Sequence, residues 1–141
     1  MVAIDLSRVC VYNTVNMGKP LLLTLYKQPW PAVDRMLGKP RAVGAGHAFH
    51  EYSRPEGGYF VRFEKGVAVQ VIVTLRHPAL SAEKALALLG MNAAGRRPAS
   101  ADSVEVVWLG LYGTGGIRVR SSDTRTWDTV EVRVKSMAAL P

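Results

Sequence analysis

Three histidines, one cysteine and 11 carboxylates are the groups in this 141-residue chain best suited to ligate a metal or move a proton. His47 and His50, followed directly by Glu51, form the tightest grouping and invite a metal or acid–base reading. In a strand over residues 47–54, however, positions three apart point to opposite faces, so the two rings do not easily share one ion. His77 is remote in sequence and could join either. Exposed or hydrogen-bonded histidines are therefore expected, with no metal site and no cofactor.

Cys10 follows Ser7-Arg8-Val9, which gives it no nucleophile context. It reads as a small core residue beside Val9 and Val11, with a reactive thiol as the alternative. The carboxylates show no close catalytic pairing beyond Asp102 near Glu105. Gly113-Thr114-Gly115-Gly116 lies between strand-like segments and lacks the following helix and Lys-Ser/Thr of a phosphate loop, so it reads as a hairpin turn. Nothing here composes an enzyme site.

Binding chemistry is better represented. In the segment 59–63, Tyr59, Val61 and Phe63 alternate with Phe60 and Arg62, so one face can enter a core while the other presents an aromatic beside a guanidinium. Such a surface can grip a protein or stack bases, or Phe60 can be covered from above. Arg96, Arg97, Arg118, Arg120, Arg125 and Arg133 form a basic group, of which Arg118, Arg120 and Arg133 are candidates for one sheet face. A solvated face would show the same alternation. The candidate binding set is Tyr52, Phe60, Arg62, Arg96, Arg97, Trp108, Tyr112, Arg118 and Arg120.

Two helices must position these residues. The first occupies residues 29–40, with Pro31 in its first turn, Val33, Met36 and Leu37 on one face, Gly38 as the terminator and Pro40 preventing resumption. The second runs over 81–89, with Ser81 as N-cap and Glu83 in its first turn. Leu37-Gly38 and Leu89-Gly90 lie 52 positions apart, and each helix precedes a run of alternating segments. This suggests internal repeats over 29–76 and 80–135; two ordinary helices ending in Leu-Gly would look the same.

The strand segments read as 47–54, 59–63, 67–75, 104–111, 117–120 and 127–135. In the last of these Val130, Val132 and Val134 face inward, while Glu131, Arg133 and Lys135 face water. Segments 9–15 and 21–26, separated by Asn16-Met17-Gly18-Lys19-Pro20, read as an N-terminal hairpin within residues 1–28. The fold class is α+β, tandem helix plus antiparallel β-sheet repeats packed as one domain.

Hydrophobic residues at 48% and charged residues at 21% are ordinary for a folded domain. No run approaches the ~20 apolar residues of a membrane helix. Asp5 and Arg8 interrupt the stretch where a signal peptide would need continuity, and the single cysteine excludes an intrachain disulfide, which makes the cytoplasm the default location. The net charge of +7 is spread along the chain: residues 1–40, 41–80 and 81–120 each carry five basic groups against two, three and three acidic ones. Attraction to acidic partners follows, whether protein, nucleic acid or an anionic surface.

The short helix ending Leu37-Gly38-Lys39-Pro40, followed by a strand with an aromatic and then by residues 58–73, resembles the α/β module of the β-lactamase-inhibitor-protein and BamE-like (SmpA-like) group. Val33, Leu37, Gly38, Pro40, Tyr59, Val61, Phe63, Gly66 and Val67 carry the resemblance, which covers residues 31–75. The second copy lacks the proline after its glycine. The resemblance implies a tandem helix-plus-sheet protein that binds other proteins as inhibitor or assembly factor, with no catalytic residues to transfer. Members are usually exported, whereas no signal or lipobox is visible here. The expectation is a non-enzymatic binding module for an acidic protein. Nucleic-acid binding through arginines is the alternative and a small-molecule pocket the third reading. A dimer is compatible with either macromolecular role.

Overall fold

The computed structural model describes residues 20–93 and 95–135. Eight antiparallel strands form one sheet: β1 Ala42–Val43, β2 Phe49–Arg54, β3 Gly57–Glu64, β4 Val67–Ala79, β5 Ser100–Ala101, β6 Glu105–Trp108, β7 Gly116–Arg120 and β8 Trp127–Arg133. Their order is β1-β2-β3-β4-β8-β7-β6-β5. Among the described residues three α-helices accompany them, α1 Leu21–Leu25, α2 Trp30–Leu37 and α3 Ala82–Leu88. α2 precedes the four strands of one half and α3 the four of the other, and β4 pairs with β8 at the seam.

Alternation along the strands separates the faces. Tyr52, Tyr59, Val61, Phe63, Val71, Val73, Val119, Val130, Val132 and Trp108 are buried on the inner face. Against them pack Leu22, Leu23 and Leu25 of α1, Val33 and Leu37 of α2, and Ala82, Ala85 and Leu86 of α3. The sheet thus buries one face under helices, the usual way for an antiparallel sheet to satisfy its apolar side. Ser81 caps α3 by accepting a hydrogen bond from the Lys84 N–H at 3.1 Å. Among the described residues no helix is long and apolar enough to cross a membrane.

Several boundaries differ from the sequence reading. Residues 21–25 form a helix instead of the second strand of a hairpin; the other strand, 9–15, and Cys10 lie outside the described residues. Leu21-Leu22-Leu23 has no strand-like alternation, and Pro20 has no N–H to contribute to a ladder but serves as N-cap. Its carbonyl accepts from the N–H groups of Leu23 and Thr24 at 3.1 Å. β4 continues through Arg76-His77-Pro78, where the chain was expected to leave the sheet. A register irregularity between Thr74 and Ala79 accommodates Pro78. The loops at 41–46 and 90–103 each contribute a two-residue edge strand, β1 and β5.

Candidate functional site

Helix α2 and strand β2 converge on a hydrogen-bonded cluster. Trp30 and Asp34 are four residues apart and therefore share one side of α2. His50 and Tyr52 are two apart on the inner face of β2, both buried. Asp34 Oδ1 accepts from His50 Nδ1 at 2.9 Å and, by a very short bond, from the Tyr52 hydroxyl. On the far side of the His50 ring, Nε2 lies 2.8 Å from Nδ1 of His47.

The strand reading of His47 was wrong, and with it the separation of the two histidines. A single 3₁₀ turn, Ala45–His47, precedes β2. Gly46 and His47 both take left-handed conformations, with φ of 64° and 59°, which turns the His47 ring back over the inner face. There it stacks on the Trp30 indole, with ring centroids 3.8 Å apart and planes inclined by 8°. Phe63 approaches His50 edge-on at 5.0 Å. The two flanking glycines, Gly44 and Gly46, were the signal in the sequence that the strand starts later.

This arrangement fixes protons. A carboxylate at Asp34 can only accept, so His50 presents an N–H at Nδ1 and a lone pair at Nε2 when neutral. His47 then donates from Nδ1 and carries its lone pair on Nε2. His47 is half-buried, and among the described residues nothing hydrogen-bonds that nitrogen. Burial, reinforced by the hydrogen bond to Asp34, pushes the Tyr52 phenol well above its ordinary range, so it stays a donor. Among the described residues no three metal-ligating side chains converge, and the two histidines spend their facing nitrogens on each other.

The outer face of the sheet is a second candidate. Register places Phe49 and Arg62, Phe60 and Ile72, Gln70 and Arg133, Arg118 and Glu131, and Glu105 and Arg120 side by side on it. Phe49 and Phe60 stack at 5.2 Å. Beside them a belt of polar contacts crosses five strands. Arg62 donates to Glu64 at 2.6 Å and to Gln70 at 2.9 Å, and Gln70 donates to Glu131 at 2.6 Å. Arg118 donates to Glu131 at 2.6 and 3.0 Å and to Glu105 at 3.2 Å, while Arg133 closes on the other oxygen of Glu131.

Glu131, read from sequence as facing water, is only 2% exposed beneath this belt. Burial opposes its charge, but the hydrogen bonds from Arg133, Arg118 and Gln70 outweigh it and hold the carboxyl below its ordinary range. Burial likewise opposes the charge of Arg118, and Glu131 and Glu105 more than restore it.

Where the sheet ends beyond Phe60, a recess of about 320 Å³ opens. Ser53, Gly58 and Thr74 are neighbours in register, and Arg41 and Arg76 flank them. Gly58 contributes no side chain, so the floor is bare backbone. Arg76 is held in place by donating to the carbonyls of Pro55 and Arg54 at 3.1 and 2.9 Å. Arg41 is 69% exposed and 3.6 Å from Glu51. The hydroxyls of Ser53 and Thr74 have no hydrogen-bond partner among the described residues.

The nine residues picked from sequence separate in space. Phe60, Arg62, Arg118 and Arg120 share the outer face. Tyr52 and Trp108 are 1% and 2% exposed on the inner face and do not contribute to that surface. Arg96 and Arg97 are exposed in the loop before β5; the Arg96 carbonyl accepts from Trp108 Nε1 at 3.2 Å. Tyr112 is 44% exposed in the 3₁₀ turn Leu111–Gly113, with its hydroxyl donating to the Asn92 carbonyl at 2.9 Å. Asp34, His47, Trp30 and the Ser53–Thr74 recess were not among the nine.

No family model matches this chain. Comparisons with curated proteins and with solved structures also return no match. The geometry alone therefore bears on function.

Proposed function

We propose that this chain is a protein-binding module of the inhibitor or assembly-factor type, which seats an acidic segment of its partner on the outer face of the sheet. The observation that carries the reading is the composition of that face. The stacked Phe49 and Phe60, with Ile72 beside them, offer apolar area of the kind that anchors interfaces. The adjoining recess is lined by two guanidiniums and by two hydroxyls without partners among the described residues, donor types suited to a carboxylate.

The same face favours protein over nucleic acid. Arg62, Arg118, Arg120 and Arg133 are matched by Glu51, Glu64, Glu105 and Glu131, and three of the four arginines donate to carboxylates or to the amide that bridges them. Such compensated arginines release few counterions on binding a phosphate backbone. The helix before each half and the order β1-β2-β3-β4-β8-β7-β6-β5 support an internal duplication and the resemblance to the β-lactamase-inhibitor-protein and BamE-like group. In that group, action is by binding other proteins.

The test compares the chain with Phe60→Asp and Arg76→Glu in capture from lysate of the source organism, with and without nuclease and at low and high salt. One protein retained by the parent chain at both salt levels and lost with both variants, while their far-UV spectra stay unchanged, is the expected result. Capture that disappears with nuclease or high salt would instead point to nucleic acid. Capture of the chain by itself would point to a dimer.

A further inference from the structure

The cluster on the inner face has no part in that interaction surface, yet it has the connectivity of a nucleophile backed by a base and an orienting acid. The geometry points to His47 Nε2 as an acyl-accepting nucleophile, with His50 as its proton acceptor and Asp34 as the positioning residue, acting on small esters with good leaving groups. The bond from His50 Nδ1 to Asp34 aims a lone pair at His47 Nδ1–H across 2.8 Å, and the Trp30 stack fixes the plane of the His47 ring. The left-handed backbone at His47 is a strained conformation for a side-chain-bearing residue, held in place by these contacts.

The step balances without any further reagent than water. The Nε2 lone pair attacks the ester carbonyl, the carbon–oxygen bond to the leaving group breaks, and the aryl oxide departs with the electron pair. The Nδ1 proton of His47 passes to His50 Nε2, which leaves a neutral acyl-imidazole and an imidazolium facing the Asp34 carboxylate. Water then attacks the acyl carbon. As the carbon–nitrogen bond breaks, His50 returns its proton to His47 Nδ1, and the acid product leaves as a carboxylate with its protons released to solvent.

The probe is 4-nitrophenyl acetate with the full chain. Nitrophenolate release faster than that given by an equal concentration of free imidazole is expected. His47→Asn, which suits the left-handed backbone, should lower it about 10²-fold, the size associated with one positioned acid–base group. His77→Gln, an exposed histidine on β4 outside the cluster, should leave it unchanged. Asp34→Asn keeps an acceptor oxygen for His50 but removes the carboxylate that faces the imidazolium formed during acyl transfer, so kcat should fall with KM unchanged.

Peptide mapping of acid-quenched protein should find the acetyl group on His47. Acetyl found only on lysines, an unchanged kcat in Asp34→Asn, or a rate equal to free imidazole would overturn the inference. A readout independent of any variant's folding is the imidazole ¹⁵N spectrum of the parent chain, in which His47 protonated at Nε2 instead of Nδ1 at neutral pH would also overturn it.

Discussion

His47 Nδ1 lies 2.8 Å from His50 Nε2, although three positions of regular strand would have put the rings on opposite faces of the sheet. The contact depends on the turn that carries His47 and on the carboxylate that holds His50 from behind. Asp34 accepts from both His50 and Tyr52, and His50 Nδ1 also lies 3.1 Å from the Tyr52 hydroxyl, so Asp34→Ala leaves His50 able to donate only to Tyr52 and the Tyr52 proton without an acceptor, whereas Tyr52→Phe removes one donor and leaves the His50–Asp34 bond intact. Asp34→Ala is expected to destabilise by about 1–3 kcal/mol and Tyr52→Phe by less than about 1 kcal/mol. Urea denaturation of the two variants measures the order, and equal losses would contradict it.

Acid should loosen the sheet through Glu131. Its folded-state pKa is depressed, so its contribution to stability is complete above the ordinary value of 4.5 and disappears as pH falls through the lower folded value. Tyr59 behaves oppositely: burial and its bond to Glu56 raise it, so its contribution is complete below 10.0 and is lost as pH climbs further. Denaturation midpoints followed against pH should be flat between these limits as far as these two groups are concerned. The acid limb should be reduced in Glu131→Gln.

The belt around Glu131 should also behave as a unit. Glu131→Leu leaves the guanidiniums of Arg118 and Arg133 without their shared carboxylate, and a loss of about 3–5 kcal/mol is expected. Replacing Gln70, Glu131, Arg118 and Arg133 together by apolar residues of similar volume should recover most of that loss, because both guanidiniums that Glu131 served are then gone with it. Thermal unfolding of the single and quadruple variants distinguishes this from independent contacts, for which the quadruple would be the worse of the two.

The elements that carry the sheet were legible where alternation is regular. Val61 and Phe63 face the core opposite Phe60 and Arg62, and Val130 and Val132 do so opposite Glu131 and Arg133. Helices α2 and α3 were legible from Gly38, Ser81 and their apolar spacing. Helix α1 was not, because five residues are too few for a helical period to show beside a leucine run. The outer-face arginines were found, but a strand pattern reports which way a side chain points and not which partner it meets across 61 residues, as Gln70 meets Glu131. The inner cluster was missed for the same reason, compounded by the left-handed His47, since Asp34 and His50 are brought together only by helix-on-sheet packing.

Close backbone approach at two glycines gives the last prediction. A Cβ on Gly57 would sit 2.1 Å from the carbonyl oxygen of Thr74 on the adjacent strand β4, one residue before its register partner Leu75, and one on Gly115 would sit 2.2 Å from the carbonyl oxygen of Lys135. Neither obstacle is a side chain that can swing away, so the backbone itself must move. At Gly58, next in sequence, the nearest atom would be the Tyr52 carbonyl oxygen at 3.9 Å, an ordinary contact. Gly57→Ala and Gly115→Ala are therefore expected to destabilise by about 1–3 kcal/mol, the range of overpacking, while Gly58→Ala changes stability by about 0.5 kcal/mol or less. Gly57→Ala should in addition widen the β3–β4 pairing beside the recess, raising hydrogen exchange at Leu75 and its neighbours; unchanged protection there would mean that the strands absorb the methyl group without separating.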